Sequence, residues 1–164
     1  MVFSPTVIFG QESVSNEAQR ESFLSAARDM IEAAGNCALI TLDDTSIPVV
    51  RIMDPFPPDE DFTIWFGTNV KSRKVEQIKK NPNVTLYYQD NDKTGYVVIH
   101  AKAQIVDDPV EKKKRWKKAW EDFYPNNREA YTLIKATPVS LEILSESRKI
   151  LGDSITWKTP VVKF

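Results

Sequence analysis

The chain has 164 residues, 41% hydrophobic and 27% charged, with 22 basic against 23 acidic side chains, which suits a globular domain long enough to bury a core. This near-neutral balance gives no global field toward nucleic acid or membrane, and no apolar run approaches the roughly 20 residues that span a bilayer. One cysteine and one histidine exclude an internal disulfide and a zinc site built from those ligands; with a start, "MVFSPTVIFGQES", unlike a leader, they set the expectation of a cytoplasmic protein.

Residues 15–34 read as an amphipathic helix capped by Ser13 or Ser15, with Phe23, Ala26, Ala27, Met30, Ile31 and Ala34 on one face and Gly35 as its stop. "CALITLDD" (37–44) and "IPVVRIMD" (47–54) read as a hairpin, and Cys37 as a small buried hydrophobe within it. The Pro-rich, acidic "PFPPDED" is a loop, and "FTIWFGT" (62–68) is a third strand. A short helix near 71–80 ends at Asn81-Pro82, and "NVTLYYQD" (83–90) follows as a strand. In the long strand 95–107, Val97, Ile99, Ala101, Ala103 and Ile105 share one face; His100, Lys102 and Gln104 share the wetter one. His100 is thus expected to be a surface residue and not a catalytic base.

Asp108-Pro109 is a helix start. In "EKKKRWKKAWEDFYP" (111–125), Trp116, Ala119, Trp120 and Phe123 recur at helical spacing. Lys112, Lys113, Lys114, Arg115, Lys117 and Lys118 fill the other positions. A helix with packed tryptophans and solvated lysines is expected, in preference to a nucleic-acid grip. "YTLIKATPVSLEILS" (131–145) supplies one or two strands, interrupted near Pro138. The order predicts a mainly β, α+β fold. It is an antiparallel, closed or half-closed barrel of about six to seven strands with N-terminal, middle and post-barrel helices, formed by residues 1–164 as one domain. There is no βαβ alternation, no G-x-G-x-x-G and no nucleophile elbow, so dinucleotide-fold and triad-hydrolase readings fail.

The stretch "WFGTNVKSRKVEQIKKNP" (65–82) carries the chemistry. Ser72, Arg73 and Lys74 gather a hydroxyl and two charges at the start of a helix, where backbone N–H groups lack partners, and Thr68 ends the preceding strand. This suits a phosphate, although a basic helix start in solvent fits the same residues. Cations there oppose the helix dipole, which an anion between them explains. Arg51 interrupts an apolar strand, where a charge needs water or a partner, and is placed to join the same site.

The arginine strand "VVRIM", the block "WFGTNVKSRKVEQIKKNPNVTLYY" and the long strand leading to Asp-Asp-Pro and a Trp-bearing helix resemble one family. These are the pyridoxamine 5′-phosphate oxidase-like flavoproteins, in particular their short general-stress-protein branch. The resemblance runs from about residue 20 to 145, and "TNVKSRK" is its specific part. It implies an FMN-binding split β-barrel working as a homodimer on an unknown small-molecule redox substrate. It implies that Arg51, Ser72, Arg73 and Lys74 hold the FMN phosphate, and that Ile52, Met53, Gly67, Thr68 and Asn69 lie along the flavin. Tyr96 stands where full-length oxidases carry a glutamine that reaches the partner's flavin, and "WKTPVVKF" does not match their basic substrate-binding segment. A non-catalytic stress protein holding a flavin, a deazaflavin or haem is the alternative. Trp65, Tyr87, Tyr88, Tyr96 and Trp116 are more large aromatics than one small barrel takes, which separately favours a dimer interface.

Overall fold

Seven strands, whose residues mostly alternate between a buried and a more open face, build one antiparallel sheet in the computed structural model, which describes residues 10–122, 124 and 130–164. The strands are β1 (Cys37–Leu42), β2 (Pro48–Met53), β3 (Ile64–Asn69), β4 (Asn83–Gln89), β5 (Gly95–Val106), β6 (Tyr131–Ser145) and β7 (Val161–Lys163). Their order is β2-β1-β4-β5-β6-β3, with β7 beside β6. Among the described residues the edge strands meet around one bridge, Pro55 to Phe66, with the Phe56 N–H donating to the Trp65 carbonyl at 2.8 Å. The curled sheet is therefore a barrel left split between β2 and β3, as expected.

The barrel interior is apolar, with Leu39, Ile64, Phe66, Leu86, Ile99, Ile134, Leu141 and Ile143 fully buried. Each such side chain contributes about 1.5–3 kcal/mol. Helix α1 (Gly10–Ala34) lays Leu24, Ala27, Met30 and Ile31 on this core. It begins before the expected residue 15, so Ser13 and Ser15 lie within the helix and not at its start; no proline between Gly10 and Ser15 forces a later start. Gly35 ends it as expected: its φ of +68° suits glycine, and its N–H reaches the Ile31 carbonyl at 3.2 Å. β5 keeps the alternation, with His100, Lys102 and Gln104 exposed. His100 Nδ1 lies 3.2 Å from Thr85 Oγ1, and Nε2 lies 3.5 Å from Glu142.

Further expectations change. β6 passes through Pro138 without a break. Along that edge β3 has ended at Ala136 and β7 starts at Ser140, so the missing N–H falls between partners, and a register shift opposite His100 and Ala101 absorbs the irregularity. The helix after β5 is short: α3 (Pro109–Lys114), capped by Asp108 accepting from the Glu111 N–H at 2.8 Å, ends at Arg115, and a single 3₁₀ turn covers Lys118–Trp120. Breaking the helix brings both tryptophans onto Tyr131, with ring centroids at 5.2 Å for Trp116 and 5.5 Å for Trp120. They cover a second small core of Trp65, Tyr131 and Leu133 on the outer face of the sheet.

Ala119 is exposed and so leaves the expected apolar stripe, while Phe123 lies outside the described residues. Arg115 is not on a solvated face. It is buried, stacks over Trp65 at 3.8 Å, and pairs with Glu111 and Asp59. Lys112 and Lys117 bind Asp107 and Asp54; Lys113, Lys114 and Lys118 remain exposed. Among the described residues no helix is long and apolar enough to cross a membrane.

Candidate anion and cofactor site

Five of the predicted residues, Arg51, Thr68, Ser72, Arg73 and Lys74, lie near one another. Arg51 pairs in register with Leu39, and Arg51 and Met53 occupy the more buried positions of β2. Thr68 is the penultimate residue of β3 and is buried. The chain then turns through Asn69, whose side chain accepts from the Lys71 N–H at 2.8 Å and whose carbonyl accepts from the Ser72 N–H at 2.9 Å. This turn launches α2 (Arg73–Lys80), an eight-residue helix held down by buried Val75, Gln77 and Ile78.

Ser72 occupies the N-cap position with extended backbone, but its hydroxyl does not cap the helix. It lies 3.2 Å from Thr68 Oγ1, which also accepts from Lys74 Nζ at 2.9 Å. Thr68 thus ties the strand end, the hydroxyl and the ammonium into one cluster, and α2 keeps free N–H groups at its mouth.

Among the described residues no carboxylate pairs with Arg51, Arg73 or Lys74, while other basic residues of the chain do find one. Burial, then the charge of Arg73, holds the Arg51 guanidinium below the usual arginine range. Burial, then the charge of Arg51, lowers Lys74 in the same way. Arg51, on β2, repels both Arg73 and Lys74 at the start of α2, and an anion placed among them removes that cost. A doubly charged phosphate fits this donor set of two hydroxyls, three cations and free helix N–H groups.

The other predicted residues fall around this centre in different ways. Met53 packs against the main core. Ile52, on the opposite face of β2, is 70% exposed and lies beside Ala38. Gly67 faces the aromatic cluster, where any side chain would collide with the rings of Trp120 and Tyr131. Asn69 pairs with Tyr131 at the end of β3 and is spent on the turn. Cys37 is buried in β1 beside the Tyr88 hydroxyl, as expected of a small hydrophobe.

Sequence reasoning missed Thr41 and Gln77. Both are buried, and both bind Arg51: Nη1 donates to Thr41 Oγ1 at 2.7 Å, and Nη2 donates to Gln77 Oε1 at 3.0 Å. The spacing of Gln77 from Lys74 and Ile78 puts it on the inward side of α2, but its target depends on how β1 and β2 pack.

Comparisons with known proteins bear on this arrangement. No curated protein matches the chain. A solved protein from Clostridium acetobutylicum, described as related to general stress protein 26 of B. subtilis in the pyridoxinephosphate oxidase family, is 23% identical. The match covers 88% of this chain and 96% of that one, with a TM-score of 0.72. A protein from Nostoc punctiforme, described as pyridoxamine 5′-phosphate oxidase-related and FMN binding, is 14% identical over 98% of this chain and 99% of its own, with a TM-score of 0.59. An F420 reductase is 22% identical over 70% and 94%, with a TM-score of 0.57. At these identities the likeness establishes the fold. The family model described as "Pyridoxamine 5'-phosphate oxidase like" matches residues 24–150, which takes in nearly all of the main core and the whole cation cluster, and the chain belongs to that family.

Proposed function

We propose that the chain binds FMN through its phosphate and acts as an FMN-dependent oxidoreductase on a small-molecule substrate. The observation that carries this reading is the cluster of Arg51, Arg73 and Lys74, for which the described residues supply no carboxylate partner, joined by Thr68 and Ser72 at the mouth of α2. Membership of a family with an FMN-binding relative supports the choice of flavin. When bound, the flavin supplies the redox chemistry, so the protein needs no acid–base pair of its own. Arg73, Lys74 and Arg51 neutralise the phosphate; Ser72 and Thr68 add hydroxyl donors; the free backbone edge of β2 beside Ile52 and Met53 offers N–H and C=O groups to a polar ring system.

The reading includes a two-fold homodimer in the cytoplasm, with no nucleic-acid or membrane partner. Of the five aromatics expected at an interface, Trp65 and Tyr88 are buried within one chain, and Trp116 packs on Tyr131. The support comes from the outer face of the sheet. Ile52, Ala38 and Tyr87 form a row across β2, β1 and β4, and Tyr87 stacks on Tyr96. Val50 (61%) and Ile52 (70%) are strongly exposed there, more apolar surface than a solitary edge strand needs.

A second reading, a deazaflavin in place of FMN, has the F420 reductase relative in its favour. Calorimetric titration with FMN, riboflavin and F420 separates the readings. Binding of FMN far tighter than riboflavin supports the phosphate site, and preferential F420 binding replaces FMN in it. Anaerobic reduction of the loaded protein by NADH or NADPH, followed by oxidation with candidate acceptors, tests turnover. A bound flavin that neither accepts nor passes electrons contradicts the enzyme and leaves a carrier.

A further inference from the structure

A glutamine on the inward side of a short, otherwise amphipathic helix needs a reason. Gln77 is 8% exposed and sits between Val75 and Ile78, where an aliphatic side chain would pack without desolvating an amide. Its Oε1 accepts twice, from Thr41 Oγ1 at 2.7 Å and from Arg51 Nη2 at 3.0 Å. Thr41 Oγ1 in turn accepts from Arg51 Nη1 at 2.7 Å, and the Leu39 carbonyl takes a longer contact from the same Nη1 at 3.4 Å. The three side chains close a triangle that links β1, β2 and α2.

Two properties of this triangle bear on the cation cluster. Among the described residues, every oxygen that holds Arg51 is uncharged: a hydroxyl, an amide and a backbone carbonyl. A carboxylate would hold the arginine more firmly and would cancel its charge toward any ligand. The triangle also uses the guanidinium from one edge. A guanidinium has five N–H donors in a fixed plane; with both on Nη1 and one on Nη2 engaged, Nε–H and the second Nη2–H remain. Those two form a fork suited to two oxygens of one phosphate.

We propose that Gln77 is a neutral positioning residue of the site: with Thr41 it fixes one edge of Arg51 while leaving the full charge and the opposite fork of the guanidinium for the ligand. This rests on the phosphate reading of the site. The choice of glutamine over glutamate is what the proposal explains. Gln77→Glu preserves length and acceptor but adds a negative charge against Arg51. Gln77→Met preserves length and the charge of the site but removes the acceptor.

The test is titration of wild type, Gln77→Glu and Gln77→Met with FMN and with riboflavin, alongside thermal melts of the unliganded proteins. Gln77→Glu should melt no lower than wild type, because it gains an ion pair, yet bind FMN at least tenfold more weakly with riboflavin affinity unchanged. Gln77→Met should melt lower and lose about three- to tenfold for FMN alone. A merely structural glutamine predicts losses that track the melts and fall on both ligands equally, and that pattern overturns the proposal. Gln77→Glu binding FMN as wild type does overturns it also. Should Gln77→Glu not fold, an FMN-selective loss in Gln77→Met supports the tether and an unselective one overturns it. Wild type showing no preference for FMN over riboflavin defeats the phosphate reading itself, and the tether with it; wild-type preference retained in both variants defeats the tether alone.

Discussion

Replacing Arg73 by alanine separates what the cation cluster does for a ligand from what it does for the fold. Arg73 is exposed, has no carboxylate partner among the described residues, and acts on Arg51 as a like charge. Its removal takes no ion pair from the unliganded protein and relieves a repulsion, so stability should stay within about 0.5 kcal/mol of wild type or rise slightly. Toward a phosphate the sign reverses. A hydrogen bond to a charged group contributes about 1.5–3 kcal/mol. Exposure places Arg73 near the lower figure, and since about 1.4 kcal/mol is tenfold, FMN affinity should fall about 10- to 30-fold. Lys74 is half-buried and fixed on Thr68, so Lys74→Met should lie nearer the upper figure, about 100-fold. Neither variant should change riboflavin affinity. Calorimetry with both ligands and melts without ligand give all these quantities. Equal losses for FMN and riboflavin, or losses that merely follow a lower melting temperature, refute the reasoning.

Gly67→Ala should destabilise by about 1–3 kcal/mol, because a methyl there strikes Trp120 and Tyr131; an unchanged melt contradicts that packing. Burial pushes the Cys37 thiol up to about 12, more than its contact with Tyr88 lowers it, so iodoacetamide at pH 8 should label it only after denaturation. By the same linkage the native state holds the thiol proton between the ordinary 9.0 and about 12, so stability should decline as pH rises through that window. Ile52→Asp should convert a dimer to monomers in light scattering at matched concentration, and a monomeric wild type removes the dimer from the proposed function.

How much was legible in the sequence depended on how local each cause was. The alternation of β5 and the stop at Gly35 are written in neighbouring residues, and both appear where expected. So does the basic start of α2 after Thr68, because Ser-Arg-Lys acts within one turn of chain. The helix expected after Asp108-Pro109 starts there but stops at Lys114 for a distant reason. Its tryptophans are helically spaced, yet Tyr131, on a later strand, draws both rings to itself, and Arg115 is drawn over Trp65. β7 is three residues long and carries no pattern of its own; it exists because β6 offers an edge beyond Pro138. Gln77 reads in the sequence as one more polar residue of a basic helix, and only the packing of α2 on the β1–β2 hairpin turns it toward Arg51.

The central claim is that the cluster of Arg51, Thr68, Ser72, Arg73 and Lys74 holds the phosphate of a flavin. Its most direct test is the visible absorption spectrum of the protein after saturation with FMN and removal of free ligand by gel filtration. The account predicts a yellow protein carrying one FMN per chain, and a colourless one when Arg51 and Arg73 are both replaced by alanine. A wild-type protein that emerges colourless, or a double variant that retains its flavin, contradicts it.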